Sequence, residues 1–274
     1  MMTDTIQVVC ENLGQTLDVP MGTPLAELAR GIESGPQPFL AAMVDNRIKE
    51  LSYRIYTPVS VRFVDITTFE GIRVYQRTAW FLLQKAVHDL YPDGKLHIRH
   101  SIGLSGFYCE VEGIAEFERA ATDSIARRMH ELAAADLPIV RQKLLTSQVR
   151  EIYAAQHADD KIELLDTRPR LYSCLYTLDD TAGYFYGALA PSTRYVDRFA
   201  VEPCYNGFCI SLPQRTAPDA LPPHVEQEQL FGIFREYQSW VGLMGVPTVG
   251  RLNSEVLAGN AGGLILIAEA FHER

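Results

Sequence analysis

The chain has 274 residues, 47% of them hydrophobic, so it is long enough for two domains and can bury a sizeable core. Its formal charge of -9 argues against broad binding of a nucleic-acid backbone, which depends on lysine and arginine. No run of ~18 apolar residues could cross a membrane, and the first residues lack the pattern of a signal peptide. We therefore expect a cytoplasmic location.

The first 66 residues predict a hairpin, a short helix and further strands, the order of a ubiquitin-like β-grasp. Short alternating apolar runs bounded by turn residues favour the strands. Thr23 is expected to cap the helix, with Pro24 in the first helical position. The predicted elements are strands over 6–9, 16–19, 40–44 and 59–64, and a helix that runs from Thr23 to Arg30.

A predicted strand over 96–100 carries two histidines, with Cys109 and Glu110 close by in sequence. This composition raises the possibility of a metal site. Residues three apart on a regular strand point to opposite faces, however, so His97 should share a face with Arg99, and Ile98 with His100. We therefore expect no metal site here.

Apolar residues at helical spacing predict three further helices, over 116–134, 147–157 and 224–243. The prolines of 213–223 indicate a linker before the last of these. Arg119, Arg127 and Arg128 share the first helix with three glutamates. A solvated face is the preferred interpretation of these arginines, and a local basic patch stays open.

The five cysteines form no Cys-x-x-Cys pair, so neither a zinc ribbon nor a disulfide scaffold is indicated. The segment 204–209 predicts a two-residue hairpin with Cys204 opposite Cys209 and Cα atoms about 4.5 Å apart. That spacing permits a disulfide. In a reducing cytoplasm two free thiols are the expected state.

Two segments carry a family resemblance. The first runs from Arg77 through a Leu-Tyr-Pro stop at 90–92 to Gly-Phe-Tyr at 106–108, and the second is Tyr-Phe-Tyr-Gly-Ala-Leu-Ala-Pro-Ser-Thr at 184–193. Together they resemble the editing domain of threonyl-tRNA synthetases, where a helix carries His-x-x-x-His and a second segment reads Cys-x-Gly-Pro-His-x-Pro-Ser-Thr. The four family positions fall on Arg77, Phe81, Phe185 and Leu189.

These replacements remove the chemistry that the resemblance would imply. Arginine offers no acceptor, while phenylalanine and leucine only pack, so we expect no catalytic residue, no metal and no editing hydrolysis. The vacated cleft could hold an anion or a nucleotide, although such residues also simply satisfy buried polar groups. The candidate ligand-binding residues are Arg77, Arg99, His100, Tyr108, Tyr184 and Tyr186.

Residues 1–66 resemble the TGS module that commonly precedes this editing domain. The same two modules, with a similarly degenerate site, precede the kinase domain of bacterial uridine kinase-like proteins, which the stretches 85–89, 135–138 and 184–187 resemble. In those proteins a kinase domain that uses ATP and magnesium follows the two modules and begins with a P-loop, but no Gly-x-x-x-x-Gly-Lys-Ser/Thr occurs in these residues. The resemblance therefore implies either a kinase domain after Arg274 or a protein that lacks one. We expect no cofactor in the chain itself.

The sequence thus predicts an α+β protein with three regions: a TGS-like domain over 1–66, a degenerate editing-like domain over 67–212, and a linker with a helical segment over 213–274. Its expected role is non-catalytic binding or regulation within a uridine kinase-like protein. One alternative is a free-standing editing-type hydrolase of aminoacyl-tRNA, with His100 as its base. Another is an RNA-associated binding module. RNA and small molecules both stay open as ligands.

Overall fold

The computed structural model describes residues 4–32, 35–114, 117–223, 225 and 227–272. The fold is a mixture of helices and several sheets, which confirms the predicted α+β class. The chain forms two compact units. The first unit comprises Met1–Val140, Thr177–Thr181 and Phe185–Glu226, and the second comprises Arg141–Tyr176, Ala182–Tyr184 and Gln227–Arg274. None of the helices described is both long and apolar enough to span a bilayer.

A five-stranded sheet opens the first unit, in the order β2-β1-β5-β3-β4. Strands β1 and β5 are parallel, whereas the other neighbours are antiparallel. One face of the sheet and the helix α1 enclose a hydrophobic core that includes Val8, Leu25 and Phe63. The predicted order of hairpin, helix and strands is confirmed. The elements are β1 Thr5–Cys10, β2 Gln15–Pro20, α1 Leu25–Arg30, β3 Ala41–Val44, β4 Arg47–Lys49 and β5 Val59–Val64.

The predicted cap of α1 is wrong. Pro24 itself occupies the N-cap position in an extended conformation, and the helix begins one residue later, at Leu25. Pro24 pairs with Arg54 in an isolated bridge, which holds its backbone out of the helix. The Thr23 hydroxyl donates instead to the Pro20 carbonyl, at 2.6 Å.

The rest of the first unit places long helices against a four-stranded sheet in the order β11-β12-β7-β6. Thr68 caps the first helix by accepting a hydrogen bond from the Gly71 amide, at 3.0 Å. The predicted start of the second helix, Glu116, lies outside the described residues, and the helix begins at Arg119. The elements are α2 Phe69–Leu90, β6 Lys95–Ile102, β7 Gly106–Glu112, α3 Arg119–Ala134, β11 Ala200–Cys204 and β12 Gly207–Ser211.

A β-bulge in β6 overturns the predicted facing of the two histidines. His97 pairs with Glu110 and His100 with Tyr108, so the register shifts and Arg99 is the extra residue. Partners across strands share a face, and Tyr108 and Glu110 are two apart. His97 and His100 therefore lie on the same face, and Ile98, opposite Cys109, lies on the other.

The second unit has a hydrophobic core formed around Val149, Tyr153, Leu165 and Leu175. The predicted helix over 224–243 begins at Glu228, and His224 lies outside the described residues. A further sheet consists of β8 Ile139–Leu145, β9 Tyr172–Leu178 and β10 Thr181–Gly183, in the order β10-β9-β8. The remaining helices are α4 Thr146–Ala155, α5 Asp159–Asp166, α6 Glu228–Leu243, α7 Val249–Leu257 and α8 Ala261–His272.

The hairpin of β11 and β12 corrects the prediction for the cysteines. A two-residue turn pairs the residues that flank it, so Cys204 lies opposite Gly207 and Cys209 lies opposite Glu202. Cys204 and Cys209 are diagonal neighbours with Cα atoms 5.5 Å apart, and their sulfurs form a disulfide. The expectation of two free thiols was therefore wrong in this structure.

Candidate functional site

Helix α2 and the segment after β10 meet along the residues that carry the family resemblance. The Thr78 hydroxyl accepts a hydrogen bond from the Ala190 amide, at 2.9 Å, and donates to the Val74 carbonyl, at 2.7 Å. One residue earlier on the helix, Arg77 Nε donates to the Ala188 carbonyl, at 3.1 Å. These bonds on either side of residue 189 fix the segment against the helix.

Apolar side chains occupy this junction. Phe81 is fully buried, and its ring lies 5.2 Å from that of Phe185, between centroids. Leu189, between the two backbone anchors, is 1% exposed. We call Arg77, Phe81, Phe185 and Leu189 the filled site.

Gly187 allows the arginine of the filled site to lie close to the backbone. Its φ is +114°, a conformation that residues with a side chain rarely adopt. A Cβ on this residue would lie 2.9 Å from Arg77 Cζ and 3.0 Å from an Nη atom. The guanidinium therefore takes the space that a side chain at position 187 would need.

The chemistry available at the filled site follows from its side chains. A guanidinium stays protonated and only donates hydrogen bonds, whereas phenyl and isobutyl groups neither ligate a metal nor move a proton. Within the described part of the chain, no cluster of three or more His, Cys, Asp or Glu residues is arranged to hold a metal ion. The filled site provides packing and one fixed positive charge.

A second group of candidate residues lies on the sheet. Glu110 accepts hydrogen bonds from Arg99 Nε, at 2.8 Å, and from the Tyr108 hydroxyl, at 3.0 Å. The ring of His100 lies 5.4 Å from that of Tyr108, which is 1% exposed. Burial lowers the pKa of His100, with Arg99 acting in the same direction and Glu110 against it. The imidazole is therefore neutral near pH 7.

The two remaining candidates are placed differently. Tyr184 belongs to the second unit, where its hydroxyl accepts a hydrogen bond from Arg168. Tyr186 belongs to the first unit and is 72% exposed. These contacts thus group Arg99, His100 and Tyr108 together, and place Arg77 against Gly187 and Ala188.

A buried charge on α2 was missed by the sequence analysis. Lys85 has a side chain that is 3% exposed, and its ammonium donates to Asp89, at 2.7 Å, and to Asp180, at 2.6 Å. Arg128 binds the other oxygen of Asp89, at 2.8 Å, and Glu131, at 2.9 Å. The only signal in sequence was the i, i+4 spacing of Lys85 and Asp89.

The hydrogen bonds of this cluster decide its protonation. Burial opposes the charge of Lys85, but the bonds to Asp180 and Asp89 outweigh it and raise the pKa of the ammonium. The bond from Lys85 lowers the pKa of the Asp180 carboxyl. Lys85 and Asp180 are therefore both charged at neutral pH, and their hydrogen bond ties the turn at Asp180 to helix α2.

Comparison with known proteins finds similarity to threonine–tRNA ligases. The ligase of Pelobacter propionicus is 28% identical over 187 residues, which cover 68% of this chain and 29% of that protein. The ligase of Desulforamulus reducens is 28% identical over 183 residues, 66% of this chain and 28% of that protein. The ligase of Methylococcus capsulatus is 29% identical over 177 residues, 64% of this chain and 28% of that protein.

These matches confirm the coarse prediction of a threonyl-tRNA synthetase-like region. The aligned part spans less than a third of the length of the curated relatives. No family model matches the chain.

Proposed function

We propose that the threonyl-tRNA synthetase-like region is a binding or regulatory module without hydrolytic activity. The filled site is the observation that supports this proposal. The two segments that carry the resemblance meet in space, and their side chains close the junction with packed apolar groups and one hydrogen-bonded arginine.

Hydrolysis of an aminoacyl ester requires a positioned water and a group that accepts its proton. The rings of Phe81 and Phe185 contact each other at the junction, with an angle of 60° between their planes, and Leu189 is buried. Arg77 has no acceptor, so it can stabilise an anion but cannot act as a base. This arrangement favours ligand binding or packing over chemistry.

The experiment is a deacylation assay. Threonine-specific tRNA that carries serine or threonine is incubated with the native chain, with buffer, or with heat-denatured chain. We expect all three to release amino acid at one rate. Release by the native chain above both controls would contradict the proposal.

The surroundings of His100 favour one alternative function, an editing-type hydrolase that uses a different base. The imidazole is kept neutral by burial and lies beside Tyr108, so it could accept a proton at pH 7. His97 lies on the same face of β6 and is the matched control. Deacylation lost in His100→Ala and kept in His97→Ala would support this function, and an inactive wild type would remove it.

The uridine kinase-like parentage and the TGS assignment of residues 1–66 are finer proposals that rest on sequence resemblance. They place a domain that uses ATP and magnesium beyond this region, as its partner. We expect residues 1–274 alone to phosphorylate no uridine in the presence of both. Turnover above background would contradict the assignment of a non-catalytic region.

An RNA ligand is the last part of this proposal to test. With a formal charge of -9, we expect binding of tRNA to be weak and to disappear as salt rises. Gel shifts with tRNA at low and moderate salt measure this. A complex that persists at moderate salt would favour the RNA-associated module instead.

A further inference from the structure

A cavity of about 150 Å³ lies in the first unit, and no residue of the filled site lines it. A buried water needs roughly 10–15 Å³ by the same kind of measure, so the cavity has room for on the order of ten waters. Cavities that enclose drug-sized ligands are larger, at roughly 300–1,000 Å³. The space therefore suits a molecule the size of a free amino acid and is too small for a nucleotide.

Hydrogen bonds between distant parts of the chain hold the cavity wall. The Tyr75 hydroxyl donates to the Arg198 carbonyl, at 2.7 Å, and accepts from the Arg198 amide, at 3.0 Å. The Gln37 side chain donates to Asp219, at 2.9 Å, and Arg198 contacts the same carboxylate oxygen, at 3.2 Å. Tyr75 and Gln37 are 3% and 6% exposed, so this wall is formed before any ligand arrives.

The lining combines an apolar patch with charges of both signs. Pro38, Leu40 and Ile66 provide the apolar part. Arg198 also lines the cavity and is bound to Asp219, while Arg194 and Asp197 provide one further charge each. Their ion pairs are long: Arg194 lies 3.6 Å from Asp136, and Asp197 lies 3.5 Å from Arg198. Both distances exceed those of a good charge-assisted hydrogen bond, about 2.7–2.9 Å, so each group can take a better partner.

We propose that this cavity binds a free α-amino acid with a short apolar side chain. Arg194 takes the carboxylate, Asp197 takes the ammonium, and the side chain lies against Leu40 and Ile66. A ligand with only one of the two charges would leave the other cavity group with its long ion pair. The proposal is independent of the filled site and of any hydrolytic activity.

Titration calorimetry with L-valine tests the proposal, with isobutyrate and isobutylamine as analogues that each lack one charged group. We expect millimolar or tighter binding of L-valine and at least about tenfold weaker binding of each analogue, about 1.4 kcal/mol. Absence of binding at tens of millimolar would overturn the proposal. Equal binding of isobutyrate would also overturn it, because the cavity would then be an anion site.

Two variants locate the ligand. Arg194→Gln and Asp197→Asn should each weaken L-valine binding about tenfold or more, since each removes one charge-assisted contact. Their side chains are 65% and 59% exposed, so both variants should fold. Arg127→Gln, on α3, where Arg127 hydrogen-bonds Ser124, is the control and should bind as wild type. Wild-type affinity in both cavity variants would place the ligand elsewhere and reject the proposal.

Discussion

The filled site and the cavity are both places in the first unit where distant segments meet, and they differ in how the side chains fill the space. At the filled site, the rings of Phe81 and Phe185 contact each other and Leu189 is buried where α2 meets the 185–190 segment. At the cavity, a tyrosine and a glutamine are held back against the wall by hydrogen bonds, so space remains. Two segments of a fold can thus stay in contact while the side chains between them decide whether there is space for a ligand.

The largest effect should come from emptying the filled site. Phe81→Ala removes a fully buried ring, which typically destabilises a protein by about 3–5 kcal/mol. Urea unfolding measures the loss. Phe69→Ala, the same change on the first residue of α2, is the control: that ring is 68% exposed and should cost under about 1 kcal/mol. Equal losses would mean that the junction is not packed as described.

A smaller effect should follow from crowding the filled site. Gly187→Ala places a methyl group against the Arg77 guanidinium and requires a side chain at φ +114°. We expect a loss of about 1–3 kcal/mol in unfolding experiments. Gly113→Ala is the control, because its φ is +90° and no atom lies within 4 Å of the new methyl. A larger loss at 113 than at 187 would contradict the role of the arginine contact.

Removing one hydroxyl tests the cavity wall. Tyr75→Phe takes away both hydrogen bonds to the Arg198 backbone and should lower the free energy of unfolding by about 1 kcal/mol. The same variant should bind L-valine more weakly, because the wall loses its anchor. Unchanged stability together with unchanged binding would show that the hydroxyl does not support the cavity.

The smallest effect concerns the pH dependence of stability that comes from the ion pair of Lys85 with Asp180. The bond from Lys85 depresses the pKa of Asp180 below its ordinary value of 3.8, so its stabilising contribution is present above pH 3.8 and is lost as pH falls through the lower folded pKa. Asp180 is 64% exposed, so the effect should stay below about 1 kcal/mol. Unfolding between pH 2 and 6 should be less pH-dependent in Asp180→Asn. An identical profile in the variant would rule out the pair as a contributor.

The sequence predicted much of the scaffold because local signals were strong. Four of the five strands of the first sheet follow from alternation and turn residues, whereas the short β4 was not predicted. Asp45 and Asn46, residue types that are common in turns, have φ of 46° and 61°. The helix that ends before Pro92 was expected from the family resemblance and is present as α2. The alternation and the turn residues that predict these strands lie close together in the sequence, so a single sequence is enough to show them.

Long-range features could not be read in this way. The bulge at Arg99 adds one residue against a partner strand, and nothing in the local alternation marks it. The cavity is lined by Gln37, Tyr75 and Arg198, which lie far apart in sequence, and only the folded chain brings them together. The burial of Lys85 depends on a turn 95 residues away. The residues predicted to bind a ligand therefore lie on the two segments that carry the family resemblance, and none of them lines the cavity.

The bulge at Arg99 gives β6 one residue more than its ladder with β7 requires. Deleting Arg99 would restore a regular ladder in which His97, Ile98 and His100 keep their partners and their faces. The contact of His97 with Glu112, at 3.3 Å, would then be kept, and the ion pair of Arg99 with Glu110, at 2.8 Å, would be lost. We therefore expect β6 to tolerate a deletion of one residue at this point, which a regular strand with one buried face would not.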